Sequence, residues 1–272
     1  MPDEKITNIS VERHSITSTF LDREVIFDLY IPNGTRNHNE FSLLLVNDGQ
    51  DLVTMQFEDI LEELYEEGAI SKLLCVGIHC SKDRKNEYGT ANFLDYKGRG
   101  ARAGLYTKFI FEELMPFVRS SLQVISFRDK SYAGFSLGGL SALDMVWNNP
   151  QEFSKVGVFS GSLWWRDKDQ DEAGFDEDTD RIMHRQVREG GYYSWLTFFF
   201  EVGTLDETAD RNNNGIIDSI DDTQSLVDEL VKKGYDRDTA IRFIEMKNGR
   251  HDVATWAKAW PEFLKWGWSS KE

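Results

Sequence analysis

Apolar and polar positions follow two periods along the chain. EVIFDLYIP (residues 24–32) and FSLLLVND (41–48) have the length and apolar character of strands, the second unbroken in the manner of a strand covered on both faces. FEDILEELYEEGAI (57–70) instead sets Ile60, Leu61 and Leu64 on one side and carboxylates on the rest, the spacing of an amphipathic helix. It leads into KLLCVGIHC, another buried strand. Beyond that point the two signals take turns. A helix over 106–122 precedes the short strand KSYAGFS, the helix LGGLSALDMVWNNP and the strand KVGVFSGS. The strands SWLTFFFEVG and AIRFIEMKNG follow, separated by the helix DTQSLVDELVKKGY, and tryptophan-rich helices close the chain. This alternation predicts an α/β fold: a mostly parallel central sheet with helices on both faces, and antiparallel strands at its N-terminal edge.

Composition narrows the reading. A chain of 272 residues, 40% hydrophobic and 13% aromatic, can bury a large core, and it shows no repeat and no Gly/Ser-rich linker. A single domain over residues 1–272 is expected, with the polar stretch RDKDQDEAGFDEDTD (166–180) as a surface excursion. A formal net charge of -16 repels DNA, RNA and anionic lipid, so neither nucleic acid nor membrane is an expected partner. The N-terminus has no basic stretch followed by an apolar run, and no apolar run is long enough to span a bilayer, which gives the expectation of a soluble, cytoplasmic protein. Cys75 and Cys80 are too few for a disulfide scaffold and lack neighbouring metal ligands, so free thiols are expected.

The chemistry begins at SYAGFSLGGLSALDMVW (131–147), where one serine stands between glycines at a strand-to-helix junction. GFSLG fits Gly-x-Ser-x-Gly at every position. Such a turn exposes the Ser136 oxygen, Gly134 and Gly138 allow close backbone passage, and the helix N-terminus faces any anion formed above the serine. A serine hydroxyl needs a base and an orienting acid, and in this architecture they follow in the order Ser, acid, His, in loops after later strands. FFFEVG is followed by TLDE, offering Asp206 and Glu207; FIEM is followed by KNGRHDVATW, offering His251. The other histidines do not fit: His14, His38 and His79 precede the serine, and His184 lies next to the polar excursion. The oxyanion donors expected are the Leu137 N–H and the Gln50 N–H from the loop after LLLVN, although a plain turn at Asp48-Gly49 accounts for those two residues equally well.

With these motifs in place the chain resembles the esterases of the α/β-hydrolase superfamily that include esterase D, enterochelin esterase-like proteins and feruloyl esterase modules. The similar pieces are LVNDGQDL, DRKNEYGTA, YTKFIFEELMPFV, SYAGFSLGGLSAL, FSGSLWW, FEVGTLDE and GRHDVATW, spread over residues 24–266. The resemblance implies Ser136 as nucleophile, His251 as base and the carboxylate three residues after Gly203, Asp206, as the third member. Glu207 stands beside it as a competing acid.

One segment departs from that family. DRNNNGIIDSIDD (210–222) follows the calcium-loop pattern with Asp210, Asn212 and Asn214 at positions 1, 3 and 5, Gly215 at 6, the Ile216 carbonyl at 7 and Asp218 at 9. Asp221 replaces the usual glutamate at 12, which implies weaker binding. The expectation is structural Ca²⁺ steadying the loop that carries Asp206, with no organic cofactor. The competing reading is a solvated Asn/Gly turn.

SGSLWW places Trp164 and Trp165 after the strand that follows the nucleophile helix, and GGYYSW adds Tyr192, Tyr193 and Trp195, an aromatic set suited to rings and sugars. Arg84 either clamps a substrate oxygen or pairs with Glu87. The expected function is hydrolysis of a small carboxylic ester, such as an acylated carbohydrate. The alternatives are acyl transfer through the same triad, a carbohydrate-binding module without catalysis, and a calcium-dependent interaction module.

Overall fold

The computed structural model describes residues 7–34 and 41–270. Its strands are β1 (Ile9–Ser18), β2 (Arg23–Pro32), β3 (Ser42–Asn47), β4 (Leu73–Ile78), β5 (Lys130–Phe135), β6 (Lys155–Phe159), β7 (Thr197–Gly203) and β8 (Ile241–Met246). They form one sheet in the order β1-β2-β4-β3-β5-β6-β7-β8. β1 pairs antiparallel with β2, and β2 antiparallel with β4; every later pairing is parallel. The anticipated antiparallel edge is therefore present. All six residues of β3 and of β4 are buried, as their unbroken apolar runs require, while β1 at the edge exposes alternate side chains.

The helices, in chain order, are α1 (Gly49–Thr54), α2 (Phe57–Glu66), α3 (Arg84–Glu87), α4 (Ala103–Lys108), α5 (Met115–Ser121), α6 (Leu137–Asn148), α7 (Glu177–Asp180), α8 (Ile182–Glu189), α9 (Asp218–Lys233) and α10 (Val253–Trp268). One apolar layer packs α4–α6, α8 and α9 against a sheet face; the other packs α1, α2 and α10 against the opposite face.

Three elements differ in detail from expectation. α2 stops at Glu66, two residues before Gly68 at φ 60°. The helix expected over 106–122 starts three residues earlier and is wound as a π turn over Phe109–Leu114 between α4 and α5. The chain ends in one helix where several were expected, because α10 runs through Pro261. The lost hydrogen bond there is offset by burial of Trp256, Trp260, Phe263, Leu264 and Trp268 along one face. Among the described residues no helix is long and apolar enough to cross a membrane, and both cysteines are free.

Candidate active site

Ser136 sits alone between the last residue of β5 and the first of α6, at φ 54° and ψ -123°, a conformation unfavourable for any residue with a Cβ. Backbone hydrogen bonds hold it there. The Ser136 N–H donates to the Phe159 carbonyl at 2.8 Å, and its carbonyl accepts from Gly139 at 3.0 Å and Ser162 at 3.1 Å. The flanking glycines are needed for space. A Cβ on Gly134 would strike the Gly138 carbonyl, and one on Gly138 would lie 2.5 Å from the Asp48 carboxylate. Asn47 pins the head of α6 by donating to the Gly138 carbonyl at 2.8 Å, while its own oxygen accepts from Tyr106 and Tyr132. The Ser136 hydroxyl is 3.4 Å from the Ser162 hydroxyl.

Asp206 and His251 come from the loops after β7 and β8. Leu205 N–H donates to Gly249 at 2.8 Å and Thr204 N–H to Met246 at 3.0 Å, lacing the two loops together. Gly203 lets them nest, because a Cβ there would collide with Asp206 Oδ1 and the Gly249 backbone. The Asp206 side chain is wholly buried, that of His251 is 40% exposed, and His251 Nδ1 lies 3.8 Å from Asp206 Oδ2. That gap exceeds a hydrogen bond, and the Ser136 hydroxyl makes none to His251 either, so the three groups stand in an open arrangement. His251 meets the Trp256 ring edge-on at 5.4 Å, and Asp252 caps α10 by accepting from Thr255 N–H at 2.9 Å.

Glu207 has a different task. Its carboxyl, pushed up by burial, lies beside Ser219 in the first turn of α9. The remaining histidines are engaged elsewhere: His14 with Glu12, His79 with Asp28 at 2.7 Å, and the fully buried His184 with the Asp222 carbonyl. His38 lies outside the described residues.

Leu137 and Gln50 both stand in the first turn of a helix, α6 and α1, where backbone N–H groups have no acceptor within the helix. The Gln50 side chain is tied to Cys80, accepting from its N–H at 3.1 Å, which fixes the α1 turn relative to the end of β4.

Several expected substrate contacts are corrected. Arg84 does not pair with Glu87, which instead binds Arg23; its guanidinium grips Asp48 through two 2.7 Å hydrogen bonds and donates to the Phe135 carbonyl at 3.3 Å. Trp165 is a core residue with 0% exposure, its ring packed against Gly89 and Gly100. Trp164 is half-buried, with Arg99 over its ring at 5.2 Å. Tyr192, Tyr193 and Trp195 precede β7, and Trp195 donates to the Pro150 carbonyl beyond the far end of α6, so they lie at the opposite end of the parallel strands from Ser136. The residues missed in sequence are Asp48, Ser162 and Glu201; a hydroxyl three residues past a buried strand and an acid inside one were the available signals.

The 210–221 loop turns at Gly215, φ 85°. Asp210 accepts from the Asn214 and Gly215 N–H groups, and the Asp221 carboxylate faces the Asn212 and Asn214 amides at 2.9 and 3.2 Å. Asp218 accepts from Arg211 N–H at 2.9 Å, while the Arg211 guanidinium reaches out to Glu177 and Asp222. Among the described residues no three His, Cys, Asp or Glu side chains converge as a metal cluster, so any cation here would draw on amide and carbonyl oxygens as well.

An eight-stranded, mostly parallel sheet with the serine at a β5–α6 corner defines the α/β-hydrolase fold. The sequence profile of the family described as "Putative esterase" matches residues 18–266. The uncharacterized protein YbbA of Bacillus subtilis (strain 168) is 23% identical over 249 residues, 88% of this chain and 91% of YbbA. Among solved structures, the enterobactin esterase FES from Shigella flexneri superposes with a TM-score of 0.70 at 19% identity, over 94% of this chain and 59% of that one. The IroE-like serine hydrolase from Shewanella oneidensis does so at 0.69 and 19%, over 95% and 79%. This chain thus spans about three fifths of the Shigella flexneri protein. It belongs to this esterase family of the α/β-hydrolase superfamily.

Proposed function

We propose that the protein is a serine hydrolase of small carboxylic esters, with Ser136 as nucleophile, His251 as base and Asp206 as the orienting acid. The observation that carries this reading is the left-handed Ser136 corner at the head of α6, at the same end of the parallel strands as the laced loops bearing Asp206 and His251. Closing the two gaps around His251 completes the relay. His251 then takes the Ser136 proton as the oxygen attacks the ester carbonyl, and the Leu137 and Gln50 N–H groups receive the developing oxyanion. His251 returns the proton to the leaving alcohol, and a water activated by the same ring releases the acid. The half-buried Trp164 offers an apolar flank to the acyl or sugar group, and the net charge of -16 favours neutral esters over polyanions.

We also assign a structural Ca²⁺ to the side chains of Asp210, Asn212, Asn214, Asp218 and Asp221 with the Ile216 carbonyl. It would fix the segment between Asp206 and α9 and takes no part in the chemistry.

The reading is tested without knowledge of the natural ester. Incubation with a fluorophosphonate probe and peptide mapping is expected to place the label on Ser136 and to lose it in His251→Ala. A folded protein that takes no label would overturn the assignment.

A further inference from the structure

Glu201 is a charged residue type inside the core. It lies on β7, is 1% exposed, and neither of its carboxyl oxygens has a hydrogen-bond donor. Both oxygens of Asp206 are in the same condition. Four buried acceptor atoms without a donor would be a large cost if both groups were charged.

Their relative placement follows from the strand. Side chains two apart on a strand share a face, so Glu201 and the Cα–H of Gly203 point the same way. Asp206 Oδ1 is folded directly over that face of Gly203, close enough to exclude a Cβ. The Asp206 carboxyl is therefore the next polar group along β7 from Glu201. The flanking strands offer nothing ionisable in register: Phe159 on β6 and Ile244 on β8 pair with Glu201. α10 packs Trp256 and Trp260 onto the same face, and the Trp256 N–H is already given to Ser160. Among the described residues, then, burial and, after it, the charge of Asp206 push the Glu201 carboxyl up to about 8. At neutral pH the carboxyl keeps its own hydrogen, a donor to this cluster alongside the unpartnered Trp260 N–H on the same face.

We propose that Glu201 is a positioning residue for the triad: its buried carboxyl donates a hydrogen bond to Asp206 and holds that carboxylate in the orientation His251 requires. The inference rests on Asp206 being the triad acid. Glu201 does not touch the reacting atoms; it acts through Asp206, which otherwise has no donor to fix its plane.

The test is the pH dependence of kcat and KM for p-nitrophenyl acetate in wild type, Glu201→Gln and Glu201→Met, with thermal melting of each. Gln keeps a donor and does not titrate, so it is expected to hold near wild-type kcat at neutral pH and to lack the wild-type fall as pH rises through about 8. Met keeps the volume and loses the donor. It is expected to lower kcat roughly ten- to hundredfold at unchanged KM, with a melting temperature no lower than wild type.

Wild-type kcat in Glu201→Met, equal losses in both variants, or superimposable pH profiles for wild type and Glu201→Gln would each overturn the proposal. Should Glu201→Met not fold, the Gln profile decides. Ser136→Ala and Asp206→Asn are measured alongside: activity surviving in either overturns the triad itself, whereas their inactivation beside an indifferent Glu201 removes only the inference.

Discussion

His251 Nδ1 stands 3.8 Å from Asp206 Oδ2, while the carboxyl of the adjacent Glu207 lies beside Ser219 at the start of α9. Two neighbouring acids therefore stand in different surroundings, one facing the imidazole and one beside the first turn of a helix. Asp206→Asn is expected to lower kcat by about 10⁴-fold, because the amide no longer holds the imidazole in the required tautomer. Glu207→Ala is expected to keep kcat within severalfold and to lower stability by about 0.3–1 kcal/mol through the lost negative charge beside the N-terminus of α9. Ester turnover and urea midpoints on the two variants check both; the opposite pattern would exchange the roles.

Arg84 is committed to the fold. Asp48 is 1% exposed, stands at φ 59° immediately before α1, and takes both guanidinium hydrogen bonds. Removing the cation leaves a buried carboxylate without its partner, at a cost of about 3–5 kcal/mol. Arg84→Met is accordingly expected to lower the denaturation midpoint sharply and to reduce kcat by loosening the turn that carries Gln50. A variant with wild-type stability and a raised KM would identify Arg84 as a substrate clamp after all.

This contrast shows which parts of the site could be read from sequence. The Ser136 corner was legible because its requirements are local: glycines two residues either side, a β5 run before and a helix after. The order of Asp206 and His251 was legible because parallel strands deliver their following loops to one edge. Arg84 was not, since its partner Asp48 is 36 residues away and the two meet only because the parallel pairing of β3 with β4 sets Asn47 beside Ile78. Trp164 and Trp165 are adjacent, and nothing in the sequence says which turns inward; the close passage at Gly89 and Gly100 decides it. Tyr192, Tyr193 and Trp195 were misread because aromatic content was weighed without asking at which end of β7 they fall.

Glu201 also makes stability depend on pH. Burial and the nearby Asp206 push its folded-state carboxyl up to about 8 from the ordinary 4.5 of a glutamate, so between these values the folded protein binds more protons than the unfolded chain. Its contribution to stability therefore falls as pH rises from about 4.5 through 8. Glu201→Gln removes this titration. The melting temperature of the variant is expected to gain on wild type progressively across that window, and the difference to level off above it. A constant offset at all pH values would show that Glu201 does not change protonation on folding.

The calcium assignment makes a prediction that separates structure from chemistry. A cation bound only by the folded loop stabilises in proportion to the logarithm of its concentration over its dissociation constant, about 2.7 kcal/mol at a hundredfold excess. Millimolar Ca²⁺ is expected to raise the melting temperature of chelator-treated protein, and Asp210→Ala or Asp221→Ala to abolish the rise. Turnover well below the melting temperature is expected to change little, because no loop ligand contacts Ser136 or His251. The Arg211 guanidinium, which joins this loop to Glu177 and Asp222, provides the internal control. Arg211→Met should lower stability with or without calcium while leaving the calcium-induced shift in place. A melting temperature indifferent to calcium in the wild-type protein would return residues 210–221 to the reading of a solvated Asn/Gly turn.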